Sequence, residues 1–414
     1  MKCFILLLVL LKIIMGKDLY KNTFKVENKN TLFKRIRRSD MNMVPQELVG
    51  EKTSSIAEEI EQVRIDLKQA ELNHVVIKDI HGRPINISKF MKPIYSRNQP
   101  VNINEIENNL KRISFFLYTK HNNLRSQILR TGDKDSLENS NFKQIFPTKI
   151  IIHAYQNQGN SAVCLKLRDA YLENNDYNIV IVDWGEIAKS NNYLLVVVYA
   201  KRIGRIVGEF INFLENNGVE PANIHIIGYD VGAHIAGFSQ QGVKRKVARI
   251  TGLDPARYGF RWRVVGRLTK SDANFVDIIH TNANILGLEK ALAHADFYPN
   301  GGTIQPGCGS FGYICSHFRA VELYAESVST TFKAAECTNS ATTTIMGDGT
   351  PPTARGMFCL NTNEDAPFAS RRSLDNFQQP HFLTNFASCS LSNMFSWLLS
   401  VYFILRIFVS DTLF

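Results

Sequence analysis

The chain has 414 residues, 44% of them hydrophobic, and a formal net charge of +10. Those values exclude a disordered or low-complexity protein and leave room for one large α/β domain with extensions, or for two or three domains. The positive excess admits an anionic membrane surface or a glycosaminoglycan as partner, whereas no nucleic-acid-binding motif is present.

Residues 1–16 carry Lys2, an apolar run from Phe4 to Leu11 and a small Gly16, the pattern of a signal peptide, although Lys12 interrupts the run. Residues 17–50 are polar and basic. Arg35-Ile36-Arg37-Arg38 precedes Ser39, which fits cleavage after Arg38 by a furin-like protease and makes 17–38 a propeptide; a solvated basic run is the alternative. An N-terminal extension covers 39–111. Within it Ile56, Ile60, Val63, Leu67 and Leu72 predict a helix over 53–75, and Asn86-Ile87-Ser88 is a glycosylation acceptor in an exported chain. Loss of Cys3 with the signal leaves six cysteines, an even set that points to disulfides with fifteen possible connectivities. No Cys-x-x-Cys pair suggests zinc.

From residue 112 apolar strands alternate with helical patterns. Strands are predicted at 113–118, 149–153, 178–183, 224–228, 249–254 and 275–280. A helix is predicted over 202–217, with Ile203, Ile206, Val207, Phe210, Ile211 and Leu214 on one face and Gly218 as its left-handed stop. Such alternation gives an α/β fold, a mostly parallel central sheet with helices on both faces. The tail, 371–414, holds an apolar segment at 394–409 that is short for a membrane span of about 20 residues and contains Arg406. It reads as a lipid-anchor signal with attachment near Ala387-Ser388, as a membrane helix, or as a segment that docks or is disordered.

The sharpest local feature is Gly228-Tyr229-Asp230-Val231-Gly232 between an apolar strand and a helix expected over 231–241. The two glycines allow a sharp turn that lifts the central side chain above the sheet, the geometry of a nucleophile elbow.

Taken with Phe115-Phe116-Leu117-Tyr118, Asp183-Trp184, Thr251-Gly252-Leu253-Asp254-Pro255, Val276-Asp277-Ile278-Ile279-His280-Thr281, the run from His294 to Gly302 and Cys315-Ser316-His317-Phe318, residues 112–370 resemble the pancreatic-lipase family of α/β-hydrolases, including insect sn-1 phospholipases and the lipase-derived yolk proteins of flies. The resemblance implies Asp254 as the triad acid at a strand end and His317 as the base on a loop. It implies Tyr155 and Val231 as oxyanion N–H donors, Cys308–Cys315 as a bridge around a short lid, and Cys337–Cys359 as a second loop closure; the partners of Cys164 and Cys389 stay open. The family's structural calcium site is expected to be lost, because Arg257, Arg267, Thr269 and Lys270 leave Asp272 as the nearby carboxylate; no metal and no cofactor are expected.

The elbow departs from the resemblance, which implies serine where this chain has Asp230. A carboxylate that attacks an ester carbonyl is also the better leaving group, with a pKa of about 4, so the adduct collapses back to substrate. The negative charge further opposes the oxyanion. A second departure is Ala154 in place of glycine beside Tyr155, whose methyl is expected to shift that donor. The expectation is a secreted lipase homologue that binds lipid or an apolar small molecule in a carrier or storage role without hydrolysing esters. The alternatives are Asp230 as nucleophile toward a saturated carbon, as in haloalkane dehalogenases and epoxide hydrolases, or residual carboxylic ester hydrolysis.

Overall fold

Runs such as Thr148–Ile152, Ile224–Tyr229 and Phe275–Ile279 are buried at every residue, and for that reason read as continuous apolar strands rather than alternating ones. The computed structural model of the chain describes residues 76–78, 84–86, 103–261, 266–309, 312–369 and 380. The signal peptide, the Arg38 site, the 53–75 helix, Cys389 and the 394–409 segment lie outside the described residues. Asn86 is described only as the last residue of a strand.

In chain order, β1 (Val76–Lys78) and β2 (Pro84–Asn86) pair antiparallel. They are followed by α1 (Ile103–Leu110), β3 (Ser114–Tyr118), β4 (Gln127–Leu129), α2 (Lys134–Glu138), β5 (Thr148–Ile152), α3 (Ala162–Asn174), β6 (Asn178–Asp183) and α4 (Gly185–Ala188). Next come α5 (Tyr193–Asn216), β7 (Ile224–Tyr229), α6 (Val231–Phe238), β8 (Arg249–Leu253), β9 (Phe275–Ile279), β10 (Ala295–Pro299), α7 (Tyr313–Ser327), β11 (Phe332–Glu336), β12 (Asn339–Met346) and β13 (Gly356–Leu360). Strands β3 to β13 form one sheet in the order β12-β11-β13-β10-β9-β8-β7-β5-β6-β3-β4. The run from β13 to β6 is parallel, and antiparallel pairs close both edges.

Alternate residues of the central strands feed two cores. Ile150, Ile152, Val180 and Val182 pack with α5 and α6, through Ile203, Val207, Phe210 and Ile235. Ile151, Ile179 and Ile181 pack with α3 and α7, through Leu167, Tyr171, Ala320 and Leu323. This is the expected mostly parallel sheet with helices on both faces.

Two helix boundaries differ from expectation. Helix α5 begins at Tyr193, nine residues before the predicted start, because Leu194 to Ala200 are buried all round and carry no amphipathic stripe. Its end is as predicted. Gly218 sits at φ 89°, its N–H donates to the Glu215 carbonyl at 3.0 Å, and the Val219 N–H donates to Leu214 at 3.1 Å, which is a Schellman stop. The elbow helix α6 is α-helical to Phe238 and tightens to a 3-10 turn over Ser239–Gln241.

A polar network crosses the entering ends of the parallel strands. Arg249 holds both oxygens of Asp277 at 2.7 and 2.8 Å, and Thr251 Oγ1 donates to Asp277 at 2.8 Å. His225 Nε2 meets Thr251 Oγ1 at 2.8 Å, and Lys149 Nζ reaches His225 Nδ1 at 3.2 Å and Asp348 at 3.0 Å. Tyr171 and Tyr324 hydroxyls donate to the same Asp348 oxygen at 2.6 and 3.1 Å. Burial drives the Lys149 ammonium below its ordinary pKa, against the pull of Asp348.

Candidate functional site

The turn between β7 and α6 holds Asp230 at φ 57° and ψ −119°, a backbone state that a residue with a Cβ adopts only under constraint, at a cost of about 1–3 kcal/mol. The constraint is visible. The Asp230 N–H donates to the Leu253 carbonyl at 3.1 Å, and its carbonyl accepts from the Ala256 N–H at 3.1 Å. A Cβ on Gly228 would lie 2.3 Å from the Gly232 carbonyl oxygen, and one on Gly232 would lie 2.3 Å from the Ile152 oxygen. Both elbow glycines are therefore required for the helix to sit down on the strands. His234, on α6, accepts the Leu268 N–H at Nδ1 and meets the Ala256 carbonyl through Nε2. Burial pushes its pKa down to about 4, so it is a neutral strut under the elbow.

Asp254 follows β8 and is fully buried. Its Oδ1 accepts the backbone N–H groups of Thr281 and Asn282 at 2.9 and 3.0 Å, and its Oδ2 meets His317 Nδ1 at 2.5 Å. His317 Nε2 lies 3.3 Å from Asp230 Oδ1. The three side chains form a continuous chain, with one imidazole between two carboxylates. Burial opposes charge on that imidazole, yet the hydrogen bonds and charges of Asp230 and Asp254 outweigh it and push the pKa up to about 9.

His317 is not on a loop, as the resemblance implies, but in the second turn of α7. The helix is nucleated early because Ser316 N–H donates to the Gly312 carbonyl at 2.8 Å while Ser316 Oγ accepts the Gln305 N–H at 3.0 Å. The Cys308–Cys315 bridge ties the chain ahead of that helix to its first turn, and Cys337–Cys359 joins the end of β11 to β13. Cys164 is a buried free thiol, with burial pushing its pKa up to about 12. The even set is thus not fully paired among the described residues.

Of the two N–H groups assigned by resemblance to the oxyanion, Val231 is the first residue of α6, where helices leave their N–H groups without intrahelical partners. The Tyr155 N–H donates to Asp230 Oδ2 at 3.1 Å. Ala154 therefore does not turn that donor away from the elbow. Its loop is held by His153, whose ring stacks on Trp184 with centroids 5.0 Å apart and accepts the Trp184 N–H at 3.2 Å; Trp184 Nε1 donates back to the His153 carbonyl at 3.1 Å.

Three residues near the triad were not singled out from sequence. Gly287 packs over Asp254, so close that a Cβ there would lie 2.3 Å from Oδ1. Asn282 supplies one of the two N–H groups that fix Asp254. Tyr229 lies with its ring centroid 4.7 Å from that of His317. Tyr229 lies within the quoted elbow motif and Asn282 adjoins the run that ends at Thr281; no sequence signal marks Gly287.

The residues after Pro255 do not fit calcium. Arg267 Nη1 donates to the Arg261 carbonyl at 2.7 Å, placing a cation on an oxygen that a metal would need. Asp272 Oδ2 accepts the Thr269 N–H at 2.7 Å.

The chain is similar to known proteins over its central part. Residues 85–344 match the family described as Lipase. The chain is 36% identical to Lipase member H of Danio rerio over 52% of its own length and 49% of that protein's. It is 36% identical to lipoprotein lipase of Rattus norvegicus over 48% of its length and 47% of that protein's. The chain thus spans about half the length of the curated relatives it matches. A solved α/β hydrolase from a Medee basin deep-sea metagenome library covers 50% of this chain and 78% of its own at 13% identity and a TM-score of 0.25. With the family matching more than half of its residues, the chain belongs to the Lipase family.

Proposed function

We propose that this chain is a noncatalytic lipase homologue that binds lipid or an apolar small molecule beside the elbow and does not hydrolyse esters. The observation that carries the reading is the placement of the Asp230 carboxylate, with one oxygen on the Tyr155 N–H and the other on His317 Nε2. An ester entering this site finds one oxyanion donor already bound to an anion and the base already ion-paired. Carboxylate attack on the ester would in any case reverse, since the alkoxide is the poorer leaving group. The dehalogenase-like alternative requires His317 as a neutral base for water, and the two carboxylates favour its protonated form.

Two disulfides support a route through an oxidising compartment and hence secretion; cleavage after Arg38 and a glycan at Asn86 are proposed on their sequence motifs alone. No helix among the described residues is long and apolar enough to cross a membrane. The six residues between Cys308 and Cys315 favour an open cleft of the phospholipase kind.

The test is hydrolysis of short-chain esters and phospholipids by purified wild type beside Asp230→Ser, with binding of a fluorescent fatty acid measured on both. The proposal expects binding by both proteins and turnover by the serine variant alone. Wild-type ester hydrolysis that disappears in Asp230→Ala overturns it, and an alkyl ester trapped on Asp230 favours nucleophilic chemistry instead.

A further inference from the structure

We propose that a cavity at the entering ends of β8, β9, β10 and β13, away from the elbow, binds the oxygens of a phosphate or sulfate monoester. The cavity has a volume of about 790 Å³, and its lining gathers Lys246, Lys270, His294 and Arg355, with Asp296 as its one carboxylate. Asp296 is already engaged: it meets His280 Nε2 at 2.9 Å and accepts the N–H groups of Leu292 and Ala293 at 3.0 Å each. Arg355 is held by the carbonyls of Pro352 and Ala354 at 2.7 Å each, neutral acceptors that fix the guanidinium without cancelling its charge. Among the described residues Lys270 has no salt-bridge carboxylate, and Lys246 acts on Asp272 only through its charge, without a direct ion pair, while Asp272 Oδ2 accepts the Thr269 N–H. Three cations thus line one cavity against a single lining carboxylate, with Asp272 offsetting Lys246 from outside it.

His294 completes the donor set. Its Nδ1 accepts the Val276 N–H at 3.0 Å, so in the neutral ring the proton sits on Nε2, which is left to donate. Burial lowers the pKa of this ring, and Arg355, Lys270 and Lys246 lower it further against the weaker pull of Asp296. The three cations share this lining with His294, so oxygens carrying two negative charges placed there gain charge-assisted hydrogen bonds. The strands are parallel, so this end lies about 17 Å, one strand length, from the end that carries Asp230. Occupancy of the cavity is independent of chemistry at the elbow.

The test uses the full chain and inorganic phosphate as probe, followed by calorimetry and by the ring resonances of His294. Saturable binding with a rise in the His294 pKa is expected, weakened at least about tenfold in Lys270→Ala and in Arg355→Ala. Lys333→Ala, an exposed position on β11 outside the cavity, leaves it unchanged. A His294 signal that phosphate does not move, or equal affinity in a Lys270→Ala/Arg355→Ala double variant, overturns the proposal. Vesicles of phosphatidylcholine with and without phosphatidic acid separate the sources. Capture by phosphatidic acid that free phosphate displaces assigns the monoester to a lipid headgroup, and phosphate binding without capture assigns it to a soluble ester.

Discussion

The Asp230 carboxylate accepts a hydrogen bond from the backbone N–H of Tyr155 at 3.1 Å. The side chain in the nucleophile position therefore occupies one of the two donors that resemblance assigns to the oxyanion. A donor of this kind contributes about 10²–10³ in rate where it is free to act. Asp230→Ser is expected to bind an alkyl trifluoromethyl ketone at least about 100-fold more tightly than wild type, measured by calorimetry, because the serine forms the adduct and Tyr155 receives its oxyanion.

The imidazole between two carboxylates sets a pH dependence. The folded pKa of His317 is raised from 6.5 to about 9. Its contribution to stability is then fully present below about pH 6.5 and is lost as pH rises through 9, on the order of 3 kcal/mol for the whole window. Urea unfolding at steps from pH 6 to 10 is expected to show this decline. In Asp230→Asn the decline moves to lower pH and shrinks, since one of the two anions is gone.

Gly287→Ala places a methyl against the acid of the same triad. The added Cβ would lie 2.3 Å from Asp254 Oδ1, and that carboxylate is pinned by two backbone N–H groups and cannot retreat freely. Destabilisation of about 1–3 kcal/mol is expected by thermal melting, with a lowered His317 pKa as the sign that the acid has moved.

At the opposite end of the strands, Arg249 and Asp277 form a buried bidentate pair, and Asp277 itself is fully buried. Arg249→Met leaves that carboxylate without its cation. A loss of about 3–5 kcal/mol is expected in chemical denaturation, whereas the Arg249→Met/Asp277→Leu double variant recovers most of it.

Cys164 is fully buried and its pKa is pushed up to about 12. Iodoacetamide at pH 8 is expected to leave it unmodified in the folded chain and to label it in denaturant, which mass spectrometry of the Cys164 peptide reads directly.

The six predicted strands of the central sheet were legible because each is a short, largely apolar run, and their ends fall within a residue or so of the observed ones. The Schellman stop at Gly218 was legible for a local reason, a single residue with φ of 89°. Helix α5 was read short because its first two turns are apolar all round, so the periodicity that marks a surface helix is missing there. The placement of His317 on α7 escaped because a base on a loop and a base in an early helical turn carry the same motif. The bond from Tyr155 to Asp230 spans 75 residues and depends on which way one peptide plane faces, which no side-chain pattern encodes. Sequence reasoning put a negative charge beside that donor; the structure puts it on the donor.

The elbow backbone is shaped from outside, by the Leu253 carbonyl, the Ala256 N–H and the two glycines, and not by the side chain it carries. Position 230 therefore behaves as a socket. A side chain of modest size set there is delivered to the same point, between one peptide N–H and one imidazole, with the same backbone torsion already imposed. Chemistry at this point can be exchanged without rebuilding the scaffold, so serine, asparagine and alanine variants form a matched set in which function varies while the frame stays fixed.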